Sequence, residues 1–127
     1  MIITLCGSTR FKKEYVYWNS VLTACRFVVF SVAMWSHGDR KDPSFELKTI
    51  LDSIHLAKIK ESKAIFVIDQ ELVPVGENYI GSSTRAEIEF ARTIGLEVFF
   101  ASRHGAEFRK KCMFLGELHE ALGITTE

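Results

Sequence analysis

The chain is predicted to fold as an α/β domain in three layers, with a parallel sheet of four or five strands covered by helices on both faces. Three observations carry this expectation. Four apolar runs alternate with segments of helical period, the order that builds parallel sheets through right-handed crossovers. The runs are continuously apolar rather than alternating, as strands buried on both faces are. With 127 residues, 47% hydrophobic and 25% charged, the chain has the size and composition of one soluble globular domain over residues 1–127.

The first run is IITLC, Ile2 to Cys6, followed by the turn Gly7-Ser8-Thr9-Arg10. Phe11, Tyr15, Trp18, Leu22 and Cys25 then recur at steps of three and four, a helical stripe. FVVFSVAM, Phe27 to Met34, reads as the second strand, and the loop Ser36 to Ser44 ends in an Asp42-Pro43 break. Leu47, Ile50, Leu51, Ile54 and Ala57 form the second helical stripe, and AIFVID, Ala64 to Asp69, the third strand. A longer loop, Gln70 to Thr84, leads to the stripe Ile88, Ala91 and Ile94, which stops at Gly95. LEVFFA, Leu96 to Ala101, is the fourth strand, and one more stripe, Phe108, Cys112, Leu115, Leu118 and Leu122, closes the sequence.

With the first strand central and the second and third on either side, the loops after strands one and three meet where the strand order reverses. Ligands of open α/β sheets bind at that point. The two loops hold the chain's richest clusters of glycine and hydroxyl residues, so one crevice is expected to gather both.

Charge and cysteine usage narrow the function classes. Sixteen basic residues balance sixteen acidic ones and the pI is near 6.9, without the basic excess that a nucleic-acid polymer demands. The longest apolar run, Phe27 to Trp35, is too short to cross a bilayer. The opening MIITLCGSTR has no basic region or cleavage site of a secretory signal. Cys6, Cys25 and Cys112 form no CxxC pair, which fits reduced thiols in a cytoplasmic protein. His37, His55, His104 and His119 show no ligand spacing, so no metal site is expected, and His55 reads as structural.

Gly7, Ser8 and Arg10 could cradle an anion at a helix start, although an ordinary N-cap by Ser8 or Thr9 accounts for the same residues. Asp69 ends a central strand and is expected to point into the crevice; its plainer role is to start a turn with Gln70. Thr84-Arg85-Ala86-Glu87 fits a capping box, with Glu87 in the first turn. A carboxylate near a helix N-terminus is favoured in its ionised form, the form that attacks or supports a cationic sugar centre. Tyr79 and Trp35 could stack on a flat ring, and His37 and Asp39 in the second loop are further candidates.

Three blocks, ITLCGSTR, IHLAKIKESKAIFVID and YIGSSTRAEIEFARTIGLEVFF, together resemble the nucleoside 2-deoxyribosyltransferase family, and especially its branch of 2'-deoxynucleoside 5'-monophosphate N-glycosidases. They span most of the chain, from Ile2 to about Ala101. The resemblance implies a flavodoxin/Rossmann-like sandwich and homodimers or larger homo-oligomers with sites near subunit contacts. It implies that Glu87 attacks the anomeric carbon, that Asp69 assists the leaving base or holds the sugar, and that Ser8, Arg10, Ser82 and Ser83 bind the 5' end. Two departures stand out. The family's further carboxylate on the helix before the third strand aligns near Leu56, with only Asp52 and His55 nearby, and the serine turn has less glycine than the glycosidase branch.

The expected function is therefore cleavage of the N-glycosidic bond of a 2'-deoxynucleoside or its 5'-monophosphate, by hydrolysis or deoxyribosyl transfer. Glu87 and Asp69 are the expected catalytic residues. Gly7, Ser8, Arg10, Tyr79, Gly81, Ser82 and Ser83 are expected to bind the substrate, and no cofactor or metal is called for. The alternative is a non-catalytic nucleotide-binding or sensor module of the same fold.

Overall fold

The computed structural model describes residues 1–35, 42–72 and 77–124. Its strands are β1 (Ile2–Gly7), β2 (Val28–Phe30), β3 (Ala64–Ile68), β4 (Glu71–Leu72), β5 (Glu77–Asn78) and β6 (Glu97–Phe100). Its helices are α1 (Lys12–Ala24), α2 (Phe45–Lys60), α3 (Ser82–Thr93), α4 (Ala101–Lys111) and α5 (Leu115–Ala121). Among the described residues no helix is long and apolar enough to cross a membrane.

β2, β1, β3 and β6 form one parallel sheet in that order, with Ile3 beside Val29 on one side and Ala64 on the other. The central place of β1 and the switch point between β1 and β3 are as the sequence predicts. The strands are apolar throughout because both faces are covered. Ile3, Leu5, Phe66 and Ile68 pack with Tyr15, Trp18 and Leu22 of α1 and Phe108 of α4. Cys6, Ile65 and Val67 point the other way, toward Ile59 of α2 and Ile88 and Ala91 of α3. The period-two alternation of each strand thus feeds two cores, one per face.

Three elements differ from their sequence-based expectation. The run Phe27 to Met34 pairs only through Val28–Phe30. Beyond it, Lys58 Nζ donates to Ser31 O at 2.6 Å, and Val32, Ala33 and Met34 become a cavity wall, which explains why the run stays apolar outside the sheet. The last stripe is split into α4 and α5 because Cys112 takes an extended conformation, φ −80°, ψ 102°. The loop before α3 contains a small antiparallel pair, β4 with β5, that its sequence did not announce.

Gly7 is needed by the sheet itself. Its φ is +145°, and a Cβ there would stand 2.9 Å from Ile68 O on the neighbouring strand. The close approach it permits is of β1 to β3.

The second helix forms where expected, capped by Ser44 Oγ accepting from Leu47 N at 3.2 Å. Its apolar stripe, however, does not enter the core. Phe45 is 84%, Ile50 59% and Ile54 53% exposed, while His55 and Ile59 are the buried residues. The cavity described next lies between this helix and the sheet ends.

Candidate functional site

A cavity of about 450 Å³ opens at the carboxyl ends of β1 and β3. The turn Gly7, Ser8 and Thr9 forms one wall, and Val32, Ala33 and Met34 a second. Lys48, Leu51, Asp52, His55 and Lys58 of α2 form a third. Tyr79, Gly81, Ser82, Ser83, Thr84 and Glu87 complete the enclosure from the start of α3. The two glycine- and hydroxyl-rich loops therefore do share one crevice, the place where Glu87 sits.

Glu87 reaches it by a different local structure from the one expected. Gly81 is the N-cap of α3, in extended conformation at φ −76° and ψ 171°, with no side-chain cap bond. The capping box does not form: Thr84 is already inside the helix and buried. Glu87 falls past the first turn, on the same face as Ser83 and Thr84. That register aims its carboxylate inward, past the reach of the helix-end dipole. Burial pushes Glu87 up to about 7, the negative charge of Asp52 adds to the rise, and the Cys6 thiol and Lys48 oppose it. The helix-end stabilisation of the ionised form expected from sequence is therefore lost, and desolvation sets the direction.

His55 Nε2 lies 3.5 Å from Glu87 Oε2 and 3.7 Å from Cys6 Sγ. Burial lowers His55 to about 4, helped by the positive charge of Lys58 and opposed by Asp52. The His55–Glu87 contact has the distance of an ion pair but not its charges, since the imidazole is neutral wherever the carboxylate is ionised. Cys6 is fully buried, and its thiol is pushed well up, first by burial and then by the nearby Glu87. Above this floor, Lys48 Nζ pairs with Asp52 Oδ2 at 2.8 Å in an exposed i,i+4 bridge.

The expected anion-binding residues divide into lining and supporting roles. Gly7, Ser8, Gly81, Ser82 and Ser83 line the cavity together with Tyr79. The N–H groups of Ser82, Ser83 and Thr84 have no partner within α3, whose first helical bond runs from Arg85 N to Gly81 O. Arg10 stands behind the wall: its Nε donates to Ser8 Oγ at 3.1 Å, and its guanidinium lies 4.7 Å from the centre of the Tyr79 ring. It links the two loops by holding a residue of each. Trp35 packs edge-on to Tyr15, away from the cavity. His37 and Asp39 lie outside the described residues.

Asp69 is the main correction. Its carboxylate is buried and turned from the cavity to the start of α4, where Ser102 N donates to Oδ1 at 2.9 Å and Ser102 Oγ to Oδ2. A strand-end acid beside a helix N-terminus is drawn to the free N–H groups there. Both oxygens are occupied, so Asp69 is a tertiary helix cap outside the cavity lining.

Conversely, Cys6, Asp52 and His55 contribute to the site without having been singled out for it. The available signal was a polar stripe on the second helix, Lys48, Asp52 and His55 at steps of four and three, beside the apolar one. Nothing in the sequence marked Cys6, which reads as one more apolar strand residue. Comparison of the chain with protein-family models, with curated proteins and with solved structures gives no significant match.

Proposed function

We propose that the protein cleaves the N-glycosidic bond of a 2'-deoxynucleoside or its 5'-monophosphate, with Glu87 as nucleophile. What carries this is the Glu87 carboxylate, largely buried at the inner end of a cavity whose wall also holds hydroxyls, free helix N–H groups, Lys48, Lys58 and the more exposed Asp52. A 5'-phosphate would be received by the N–H groups and hydroxyls of Ser82 and Ser83 and by the Ser8 turn. Tyr79 offers a ring face to the base or sugar.

In the reaction, the ionised Glu87 oxygen forms a bond to the anomeric carbon as the bond to the base nitrogen breaks. The electron pair leaves with the base, and Lys48 or Lys58 offsets the charge that develops on it. Water then hydrolyses the glycosyl ester, or a second base accepts the sugar. With a value near 7, about half of Glu87 is ionised at neutral pH. Asp69 is given no part in this chemistry, because its carboxylate is turned toward Ser102 and lies outside the cavity lining.

That same engagement of Asp69 favours the second reading, a module that binds a nucleotide without turning it over. Incubation with a mixture of deoxynucleosides and their 5'-monophosphates separates the two. Free base that vanishes in Glu87→Gln supports the glycosidase. Thermal stabilisation by a ligand recovered intact supports the binding module.

The exposed apolar residues Phe45, Leu47 and Ile50 of α2 lie on the helix that walls the cavity. A second copy of the chain covering them, as the resemblance implies, would put the subunit contact beside the site.

A further inference from the structure

Where His55 and Glu87 line the cavity, the buried Cys6 lies behind them, and the three offer ordinary metal-ligand atoms, Cys6 Sγ, His55 Nε2 and a Glu87 carboxylate oxygen, all within 4.8 Å of one another. We propose that these three residues form a reversible site for a thiophilic divalent cation, with Zn²⁺ as the best fit.

The two spacings from His55 match. Zinc bonds of about 2.0–2.3 Å to nitrogen, oxygen and sulfur, at tetrahedral angles, put neighbouring donors roughly 3.3–3.6 Å apart. Cys6 Sγ to His55 Nε2 is 3.7 Å, and His55 Nε2 to Glu87 Oε2 is 3.5 Å. Each donor comes from a different element: Cys6 from β1, His55 from α2 and Glu87 from α3. His55 and Glu87 also line the cavity. Three protein ligands with an open side are the arrangement that leaves a fourth position for water or another small ligand.

Charge balance favours the same ion. Cys6 and His55 are buried and the Glu87 side chain is mostly so, surroundings that disfavour any one of these groups carrying an unpaired charge. A dication removes the conflict. It displaces one proton from the thiol and one from the carboxylic acid and takes the free base of His55 as it stands. The product is a neutral assembly of Zn²⁺, thiolate, carboxylate and imidazole, with the thiol proton released and the Glu87 proton too where that acid is protonated. The thiolate selects zinc or cobalt over magnesium and calcium, which prefer oxygen donors.

One feature limits the affinity. His55 Nδ1 is buried with no hydrogen-bond partner among the described residues. Histidines that hold metal tightly donate this second nitrogen to a carboxylate or carbonyl, and losing such a bond weakens binding by about 10–100-fold. The site is thus suited to an exchangeable metal rather than a permanent structural one. A metal bound there would engage the Glu87 carboxylate. It follows, resting on the glycosidase reading for this clause alone, that zinc and Glu87-dependent turnover exclude each other.

The test is a titration of chelator-treated, reduced protein with Co²⁺, followed by absorbance. The expected result is a near-ultraviolet thiolate-to-cobalt charge-transfer band, with visible bands of four-coordinate cobalt, both abolished by adding Zn²⁺. Cys6→Ser should lose the charge-transfer band. His55→Gln, which keeps the thiol, should weaken cobalt binding by tenfold or more while its unfolding temperature verifies the fold. No charge-transfer band in the wild type, or an unchanged titration in His55→Gln, would overturn the site. Because these readouts are spectroscopic, they stand or fall whether or not the protein releases base from any nucleotide.

Discussion

His55 Nε2 and Glu87 Oε2 stand 3.5 Å apart on facing helices, and between about pH 4 and pH 7 neither group is charged. The two respond to pH in opposite senses. Glu87 is raised from 4.5 to about 7, so the stability it contributes is full below pH 4.5 and is lost as pH rises through 7. His55 is lowered from 6.5 to about 4, so its contribution is full above pH 6.5 and is lost as pH falls through 4. Over the shared window the slopes oppose, and the wild type is expected to show a nearly flat unfolding profile there.

Glu87→Gln exposes the imbalance. Removing a buried charge should stabilise the protein at pH 8 by about 1–3 kcal/mol, with little change at pH 4.5. Chemical denaturation at the two pH values checks this; a variant less stable than wild type at pH 8 would contradict it. In the same variant, turnover of a cleaved deoxynucleotide is expected to fall by about a thousandfold or more.

Asp69 offers the sharpest contrast with the role its position in sequence suggested. As a cap on α4 through Ser102, its replacement by Ala should cost about 1–3 kcal/mol, and Ser102→Ala should cost less. Neither change should lower the turnover of protein that remains folded. A large loss of kcat in folded Asp69→Asn would return Asp69 to the chemistry.

Gly7→Ala is expected to destabilise by about 2–4 kcal/mol, since a Cβ at φ +145° would meet Ile68 O at 2.9 Å. The loss should show as a lower unfolding temperature with or without ligand. A loss of ligand affinity alone, with stability intact, would instead mean that Gly7 serves the ligand.

Ile50 is 59% exposed and outside the cavity lining. If α2 packs against a second copy, Ile50→Lys should shift the sedimenting species from dimer to monomer. A wild type that is monomeric at high concentration would remove that role from the helix face.

How legible each feature was depends on the range of the interaction behind it. Strand runs and helix stripes come from local periodicity, and they located β1, β3, β6, α1, α2 and α3 to within a few residues. The two clusters meeting at the switch point follow from chain order and handedness, which are also written locally. By contrast, the run Phe27 to Met34 gave no warning that its second half lines a cavity. Nor did the stripe of α2 announce that Leu47 and Ile50 face outward while Leu51 and Ile54 line the cavity. Apolarity records that a side chain avoids water, not which surface it avoids water against.

For the site, the sequence by itself determined that Gly7, Ser8, Tyr79, Gly81, Ser82, Ser83 and Glu87 would gather around one crevice, because they sit in or just after the two strand-to-helix loops that meet at the switch point. Only the tertiary structure decided what Glu87 and Asp69 face. Starting α3 at Ser82 rather than after Thr84 turns Glu87 into the cavity, and the arrival of Ser102 at the end of β3 draws Asp69 out of it. Cys6 and His55 join Glu87 across a sequence gap of 49 residues between the first two. Such a meeting is set by how a helix packs across a sheet, a long-range consequence of burial that no local pattern of residues encodes.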